Sequence, residues 1–392
     1  MDGKIQIRLI PDSATGGNNK MIKLLKLAAV NILVFLGILI FLNLTAISIY
    51  QLINFRIFPH THTKTNWRLP NYKSIEWARN HFKEFGELRA EYRSYIGWRR
   101  LPYKGQTINI DKQGIRITPQ SELATATSPL VVFLGGSTMW GTGVNDANTI
   151  PALFAKIAQG RYRTINLGES AYNAFQSFLF LKLQIINGLN PDIVVSYDGV
   201  NDAYSLKSGQ RPFSHQREDQ IRTLMKGKDR INEDALSFSH FFLNPLKVFI
   251  SMFKNAKNPT YDLSQERIEQ TAKALLESWL STKDLAEKQG ADFIAVLQPN
   301  AAIGKPYLKH LNLDKDENLL KLYKLFYPAV LKLLQAPQYQ ELSNNVIDLT
   351  DAFDLEEPIY LDHCHVSPNG NKIIATKIYK HINNSLDNKK KN

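Results

Sequence analysis

The sequence has one cysteine, Cys364, among 392 residues. A single cysteine excludes an internal disulfide framework, although it does not indicate a redox compartment, because many exported proteins lack cysteine altogether. Zinc-finger spacings, aromatic RNA-binding motifs and basic heptads are also absent from the sequence. The formal net charge of +12 suggests contact with acidic material, but without such motifs it does not indicate nucleic-acid binding.

Charge is missing from one long stretch near the N-terminus. Residues 27–50 contain no charged side chain and are apolar apart from two asparagines and a few hydroxyls. Because about 20 helical residues cross a hydrocarbon core, this stretch predicts a transmembrane helix. A cleavable signal peptide is the alternative, with a small-residue site at 46–48, but its apolar region is usually only ~7–15 residues long. The length of the stretch therefore favours an uncleaved anchor.

Lysines near this stretch predict its orientation. Lys20, Lys23 and Lys26 lie close on its N-terminal side, whereas the basic residues on the other side lie further away. By the positive-inside rule, residues 1–26 are predicted to be a cytoplasmic tail and the rest an extracytoplasmic body. The expected location is therefore a single-pass membrane protein held by its N-terminal helix.

Residues 51–129 are interpreted as a juxtamembrane connector that carries a helix and a hairpin. A partial apolar stripe predicts the helix over residues 74–92. Alternation of apolar and polar residues around a glycine predicts the hairpin over residues 107–118. His60 and His62 lie in the proline-bearing part of the connector, where exposure is a commoner fate than metal binding.

From residue 130 onward, short apolar strands alternate with longer helical stretches. This alternation predicts an α/β fold in which a parallel sheet lies between two layers of helices. Residues 205–262 break the rhythm and are interpreted as an insertion, and residues 386–392 as a solvated tail. The predicted strands are 130–135, 164–168, 192–197, 292–297 and 345–349, and the predicted helices are 148–159, 174–188, 263–289, 316–334 and 368–384.

Polar residues follow the predicted strands, at the edge where open parallel sheets bind ligands. Ser137 comes directly after Gly135 and Gly136, where a nucleophile could stand above the sheet edge. Taken alone, the stretch is more often a glycine-rich turn that happens to contain serine. The stretch lacks the G-x-S-x-G pattern of an α/β-hydrolase elbow. Gly168 ends the second predicted strand and Asn201 follows the third, and each is also an ordinary turn residue.

The stretch after the last strand reads Asp362-His363-Cys364-His365. Asp362 and His365 are spaced so that the carboxylate could accept from imidazole Nδ1–H, which leaves Nε2 free as a base. A metal site at His363, Cys364 and His365 is disfavoured, because adjacent side chains usually diverge and zinc ligands are normally separated by other residues. A small buried apolar role suits Cys364 better than that of a thiol nucleophile.

Taken together, the sequence resembles the SGNH/GDSL hydrolases. The family's four motifs correspond, in order, to GGST (135–138), NLGES (166–170), GVND (199–202) and DHCH (362–365), and the resemblance covers residues 130–385. It implies a flavodoxin-like three-layer sandwich without a metal or other cofactor. It also implies Ser137 as nucleophile, His365 as base, Asp362 as its orienting acid, and an oxyanion hole of Ser137, Gly168 and Asn201. One position departs from the family, since Gly136 replaces the aspartate of its GDS motif.

This resemblance implies a serine esterase that removes acyl groups, such as O-acetyl, from carbohydrate or lipid of the cell envelope. An O-acyltransferase acting on an extracytoplasmic glycan shares every motif, and a catalytically silent glycan-binding or scaffold module is the non-enzymatic alternative. No nucleic-acid partner is expected, and the sequence does not indicate a protein partner. The aromatic-rich block at residues 236–253 is interpreted as a packed helical hairpin, with a lid over an acyl pocket or a membrane-facing surface as alternatives.

Overall fold

The computed structural model describes residues 15–54, 66–219, 221–222, 260–313 and 317–391. These residues fall into two units, an N-terminal helix and an α/β unit that contains all the other described residues. The two connector histidines and the block at 236–253 lie outside the described residues, so the interpretations given to them stay predictions.

The N-terminal unit contains the first helix, α1 (Thr15–Asn54). Its segment Lys20–Leu42 has a mean hydropathy of 2.6, which makes it long and apolar enough to cross a membrane. An apolar helix at this place is therefore confirmed as a candidate span. Because the helix lies near the N-terminus, a signal sequence is also compatible with it, so anchorage and orientation stay predictions.

The α/β unit is built on five parallel strands, β5 to β9. In space their order is β6-β5-β7-β8-β9, which is the flavodoxin-like arrangement in which the second strand lies outside the first. The predicted α/β class and parallel central sheet are thus confirmed. The strands are β5 (Leu130–Gly135), β6 (Arg163–Asn166), β7 (Ile193–Asp198), β8 (Asp292–Leu297) and β9 (Val346–Asp348).

Helices cover both faces of this sheet, because the central strands present apolar side chains on both sides. Val132 and Leu134 of β5 pack among residues of α5, α7 and α8, whereas Val131 and Phe133 pack among residues of α4 and α10. The helices of these two layers are α4 (Ile150–Ala158), α5 (Ala174–Ile186), α7 (Gln265–Lys288), α8 (Glu317–Leu334) and α10 (Pro368–Lys391). Three shorter helices are α3 (Ser137–Trp140), α6 (Val200–Ala203) and α9 (Gln340–Ser343).

Predicted and observed element boundaries agree to within a few residues in the sheet unit. Two strands, 130–135 and 292–297, have the predicted bounds, and the predicted strand 164–168 ends two residues earlier, at Asn166. The predicted helix 368–384 continues to Lys391. Continuous apolar strands and amphipathic helices are local patterns, which explains this agreement.

The segment before the sheet differs from its prediction. The helix expected over residues 74–92 is shorter, α2 (Ala78–Glu87), and residues beyond it form β1 (Ala90–Arg93), which pairs antiparallel with β2 (Gly97–Arg100). A second short pair follows, β3 (Tyr103–Lys104) with β4 (Asn109–Ile110). The turn of the expected hairpin is present, because Ile110 bridges Arg116, and Arg116 in turn bridges Asn166 at the edge of β6.

These N-terminal elements pack onto the sheet unit. Phe85 and Leu88 join Ile108, Ile110 and Trp140 in one buried cluster, and the Phe85 and Trp140 ring centroids lie 5.8 Å apart. Trp140 ends α3, the helix that begins at Ser137. The segment predicted as a connector is therefore part of the packing behind the candidate site.

The two ends of the expected insertion pair with each other. Lys207 and Tyr261 form an antiparallel bridge, and two backbone hydrogen bonds of 2.9 Å (Ser208 N–H to Thr260) and 2.8 Å (Asp262 N–H to Leu206) flank it. The chain thus leaves the α/β unit after α6 and re-enters it before α7 at the same place, as expected for an insertion.

Candidate active site

Ser137 stands where the first strand of the sheet turns into a helix. Gly135 ends β5 with φ +146°, and a Cβ on it would lie 2.6 Å from the carbonyl oxygen of Tyr197, so only glycine fits the turn. Gly136 then caps α3, and Ser137 is the first residue of that helix. Its backbone N–H therefore has no acceptor within the helix.

His365 is held over Ser137 by a tight turn before α10. Leu361 N–H donates to the carbonyl of His365 at 2.8 Å, which closes the turn. Asp362 Oδ1 accepts from the backbone N–H groups of Cys364 (2.9 Å) and His365 (2.8 Å), and its Oδ2 lies 2.6 Å from His365 Nδ1. On the other side of the ring, Nε2 lies 2.7 Å from Ser137 Oγ. The three predicted residues are thus connected in one hydrogen-bonded row.

The electrostatics of this row favour one tautomer. Burial alone would raise the pKa of Asp362, but His365 beside it and the hydrogen bonds it accepts hold that pKa well below its usual value. Burial lowers the pKa of His365, but the Asp362 carboxylate outweighs it and raises that pKa above the ordinary value. With an ionised Asp362, Nδ1 carries the proton and Nε2 accepts from Ser137 Oγ–H.

Cys364 and His363, the two residues between Asp362 and His365, lie outside the hydrogen-bonded row of Ser137, His365 and Asp362. Ligand-type atoms of Asp362, Cys364 and His365 lie within 4.8 Å of one another, but both ring nitrogens of His365 are already hydrogen-bonded. The His363 ring stacks on Tyr323, with centroids 6.1 Å apart, and its Nε2 lies 3.4 Å from the Tyr204 hydroxyl. His363 and His365 therefore do not converge on one point. Cys364 is buried in the core cluster, as its predicted apolar role requires.

Asn201 brings a side-chain donor to the same edge of the sheet. It lies in the short helix α6 after β7, and its Nδ2 donates to the carbonyl of Tyr172 at 2.7 Å. Its Oδ1 accepts from Gln216 Nε2 at 2.8 Å, so the orientation of the carboxamide is set from both ends. An amide nitrogen has two hydrogens, so Nδ2 keeps a second N–H for another acceptor. Gln216 lies at the start of the insertion and was not predicted from the sequence.

The structure contradicts the predicted role of Gly168. Its backbone N–H donates to Asn166 Oδ1 at 3.0 Å, and a Cβ on it would lie 2.7 Å from the backbone nitrogen of Trp140. Gly168 therefore packs against α3 with its donor already used. Glycine is needed here so that two backbone segments can approach closely. The glycine after the strand therefore reflected packing and not an oxyanion donor.

Ala171, three residues further on, has the free donor instead. It has φ +65°, a left-handed conformation that is rare for alanine, and its neighbour Tyr172 supplies the carbonyl that binds Asn201. Within the described part of the chain, its backbone N–H donates to no acceptor. An alanine in this conformation leaves no mark in a sequence, and so Ala171 was missed.

The departure from the family motif at Gly136 has a steric reason. A Cβ on Gly136 would overlap Asn201 Nδ2 and come 3.2 Å from the Tyr172 carbonyl oxygen. Any side chain at position 136 would displace the amide of Asn201. The absence of a side chain at Gly136 thus allows Asn201 to lie in close contact with the turn that carries Ser137.

Comparisons with known proteins find likenesses to solved structures alone, at low sequence identity. No family model and no curated protein matches the chain. Similar solved structures include a lipolytic G-D-S-L family protein from Veillonella parvula, with 10% identity, 64% of this chain and 97% of that chain covered, and a TM-score of 0.36. A carbohydrate acetylesterase from Sinorhizobium meliloti has 13% identity, covers 65% and 98%, and has a TM-score of 0.38. An acetyl xylan esterase has 16% identity, covers 64% and 99%, and has a TM-score of 0.35. At such values these likenesses do not establish a function for this chain.

Proposed function

We propose that this protein is a serine esterase of the SGNH type that cleaves acyl esters through an acyl-serine intermediate. The observation that carries the proposal is the row from Ser137 Oγ to His365 Nε2 (2.7 Å) and from His365 Nδ1 to Asp362 Oδ2 (2.6 Å). A hydroxyl bonded to an imidazole that is itself oriented by a carboxylate is the arrangement that activates serine.

The reaction proceeds in two halves. Ser137 Oγ attacks the acyl carbonyl carbon while its proton passes to His365 Nε2, and the carbonyl oxygen becomes an oxyanion. His365 then gives that proton to the leaving alkoxide, which departs as an alcohol and leaves the acyl group on Ser137. In the second half, water attacks the acyl carbonyl carbon while one of its protons passes to His365 Nε2. The ester bond to Ser137 then breaks, Ser137 Oγ takes the proton back from His365, and the carboxylic acid leaves.

Three donors are available for the oxyanion. Ser137 N–H and the second Nδ2–H of Asn201 have the roles predicted from the sequence, and Ala171 N–H takes the place predicted for Gly168. The Asn201 amide binds the Tyr172 carbonyl, in the residue next to Ala171, and packs against Gly136, next to Ser137. Donors fixed before the reaction stabilise developing charge without reorganisation.

The substrate class proposed is an acyl ester of cell-envelope carbohydrate or lipid, with O-acetyl groups as the first case. What supports this is the apolar segment Lys20–Leu42, which as an uncleaved, positive-inside anchor would hold the α/β unit at the outer face of the membrane. The preformed Ser–His contact speaks against the silent binding module. An acyltransferase uses the same donors and nucleophile, and the assay below distinguishes it by its product.

The proposal is tested with the full chain in detergent micelles and with two readouts. A fluorophosphonate probe should label the protein, and an activated acetyl ester should be hydrolysed; Ser137→Ala should abolish both. Ser343→Ala, at a half-buried serine of α9 whose hydroxyl donates to the carbonyl of Gln340, is the matched control and should behave as the wild type. Near-wild-type hydrolysis by Ser137→Ala would refute the assignment.

The same preparation, incubated with acetylated glycans, reports on the acyl acceptor. Released acetate would support the esterase, whereas acetyl groups appearing on an added, unacetylated glycan would show transfer. Absence of both, together with absence of labelling, would favour the silent module and overturn the proposed function.

A further inference from the structure

The N-terminal strand β2 lies against the loop that carries Ala171. Trp98, in β2, is 2% exposed, and its indole Nε1–H donates to the backbone carbonyl of Ser170 at 2.9 Å. Trp98 lies before the stretch 130–385 that resembles a hydrolase, and no role for it follows from that resemblance. The indole of Trp98 therefore binds the peptide group that links Ser170 to Ala171, the residue whose N–H has no acceptor.

The carbonyl of Ser170 and the N–H of Ala171 belong to the same peptide group. This peptide is not cis, and in a planar trans peptide the C=O and N–H point in opposite directions. A donor that fixes the carbonyl at one end therefore fixes the direction of the N–H at the other. It also polarises the peptide, because hydrogen bonds in a row strengthen one another in a low-dielectric interior.

The indole is itself held from several sides. Its ring makes edge contacts with the rings of Tyr172 (centroids 5.7 Å apart) and His215 (5.2 Å), and the Arg217 guanidinium lies 5.2 Å from its centroid. The Tyr172 hydroxyl donates to the backbone carbonyl of Trp98. The donor that holds the Ser170–Ala171 peptide is thus rigid.

The rest of the loop is fixed by a buried ionic cluster that includes the next residues of β2. Arg100 Nη2 donates to Ser170 Oγ at 2.7 Å, and Arg100 N–H donates to Glu169 Oε2 at 3.0 Å. Glu169 Oε1 accepts from Ser170 N–H at 2.7 Å. Arg100 and Glu169 are both almost fully buried, with Arg100 Nε 3.4 Å from Glu169 Oε1. These contacts help to keep Ala171 in its left-handed conformation, which is unfavourable for a residue with a Cβ.

We propose that Trp98 is a positioning residue for ester cleavage, and that its indole N–H aims the Ala171 N–H at the oxyanion. This inference rests on the proposed function, since it needs an oxyanion to be stabilised. Trp98 does not touch the reacting atoms. It acts through the Ser170–Ala171 peptide, so its loss affects the transition state more than the bound substrate.

The test compares Trp98→Phe with wild type in the full chain. Phenylalanine keeps a buried aromatic ring but removes the N–H donor. We expect kcat for an acetyl ester to fall roughly tenfold, as the loss of one oriented hydrogen bond implies, with KM unchanged. Inhibition by a trifluoromethyl ketone analogue, which forms an oxyanion on Ser137, should weaken by a similar factor. The midpoint of the acid limb in the pH–rate profile should not move, because the Ser–His–Asp row is untouched.

Two further variants make the outcome decisive. Trp77→Phe, at a half-buried indole packed on Tyr72 and His81, should retain wild-type kcat. Replacing Trp98 with 3-benzothienylalanine keeps the shape of the indole but puts sulfur in place of Nε1–H. It should lower kcat by the same factor without changing KM, and it decides the question if Trp98→Phe does not fold.

Three results would overturn the inference while the wild type is active. These are an unchanged kcat in a folded variant that lacks the Trp98 indole N–H, a rise in KM that accounts for the whole loss, or unchanged inhibition by the ketone. If the wild type neither reacts with fluorophosphonate nor cleaves the ester, the proposed function fails first, and this result is distinguishable from the other three.

Discussion

The Nε2 atom of His365 lies 2.7 Å from the Oγ atom of Ser137, although 228 positions separate the two residues in the chain. Ser137 follows the first strand of the sheet, and His365 follows the connection after the last one. Because parallel strands all end at the same edge, the fold itself brings the two side chains to one side of the sheet. The turn at 361–365 then sets the ring at hydrogen-bonding distance.

The pH dependence of ester cleavage should reflect the raised pKa of His365. Only the neutral imidazole accepts the proton of Ser137, so kcat/KM rises with pH through the His365 pKa. Since Asp362 raises this pKa, the midpoint of the acid limb is expected above the ordinary histidine value of about 6.5. The measurement is a pH–rate profile with an ester that is stable across the range.

Asp362→Asn extends this test. Loss of the carboxylate should move the midpoint to lower pH and lower kcat by a factor on the order of 10⁴, because the imidazole loses its orienting acceptor. Asp351→Asn, at an exposed acid earlier in the same connection, should leave both quantities unchanged. A wild-type midpoint at or below 6.5, or one that Asp362→Asn does not move, would contradict the assignment of His365 as base.

Asn201→Ala should lower kcat by about 10²–10³, the usual cost of losing one oxyanion donor, with little change in KM. Gln216→Leu gives a graded version, since it removes only the hydrogen bond to Asn201 Oδ1 and should lower kcat roughly fivefold. Steady-state kinetics on one ester measure both. A larger effect from Gln216→Leu than from Asn201→Ala would mean that Gln216 acts in some way other than through Asn201.

Gly136→Ala should reduce kcat at least tenfold, because the new Cβ overlaps the Asn201 amide and displaces an oxyanion donor. Gly136→Asp, which introduces the aspartate of the GDS motif that this stretch resembles, should do the same. The control is Gly86→Ala in helix α2, where a Cβ meets no atom within 4 Å; it should keep full activity and gain up to about 1 kcal/mol of stability. Wild-type kinetics in both position-136 variants would show that the contact does not constrain Asn201.

Asp146→Asn should destabilise the fold by about 3–5 kcal/mol, because it leaves the guanidinium of Arg116 buried without its counter-charge. Arg116 is fully buried, pairs with Asp146 at 2.8 Å, and donates to the carbonyls of Trp140 and Gly141 behind the Ser137 helix. Denaturant unfolding of the variant, beside Glu122→Gln at an exposed acid, measures the change. A loss below about 1 kcal/mol would mean that the ion pair contributes little net stability.

Much of the site could be predicted where its geometry is local. Asp362 and His365 are three residues apart, so their contact depends on a single turn, and the Asp-x-x-His spacing indicated it. Ser137 was a candidate because two glycines directly precede it at a strand end, but its role as nucleophile came from the resemblance of four motifs to the SGNH/GDSL hydrolases. Gly168 was the wrong donor for a related reason: glycine marks a place where backbones approach closely, and this freedom is used there for packing against α3.

The sequence by itself determined the α/β class, the approximate bounds of the sheet strands, the apolar N-terminal helix and the identity of the nucleophile candidate, because periodicity and strand-end residues are properties of short segments. Only the tertiary structure decided that, among the described residues, the N–H of Gly168 is bonded while that of Ala171 has no acceptor. It also decided that Trp98 contacts the Ser170 carbonyl and that Gln216 contacts the Asn201 amide. The tertiary structure likewise decided that residues 90–93 form a strand and not the end of the predicted helix. They pair with β2, and this pairing is not visible in the apolar spacing from which the helix was predicted. Each of these outcomes depends on contacts between distant segments, which alone impose a left-handed alanine or select which backbone donor stays unpaired.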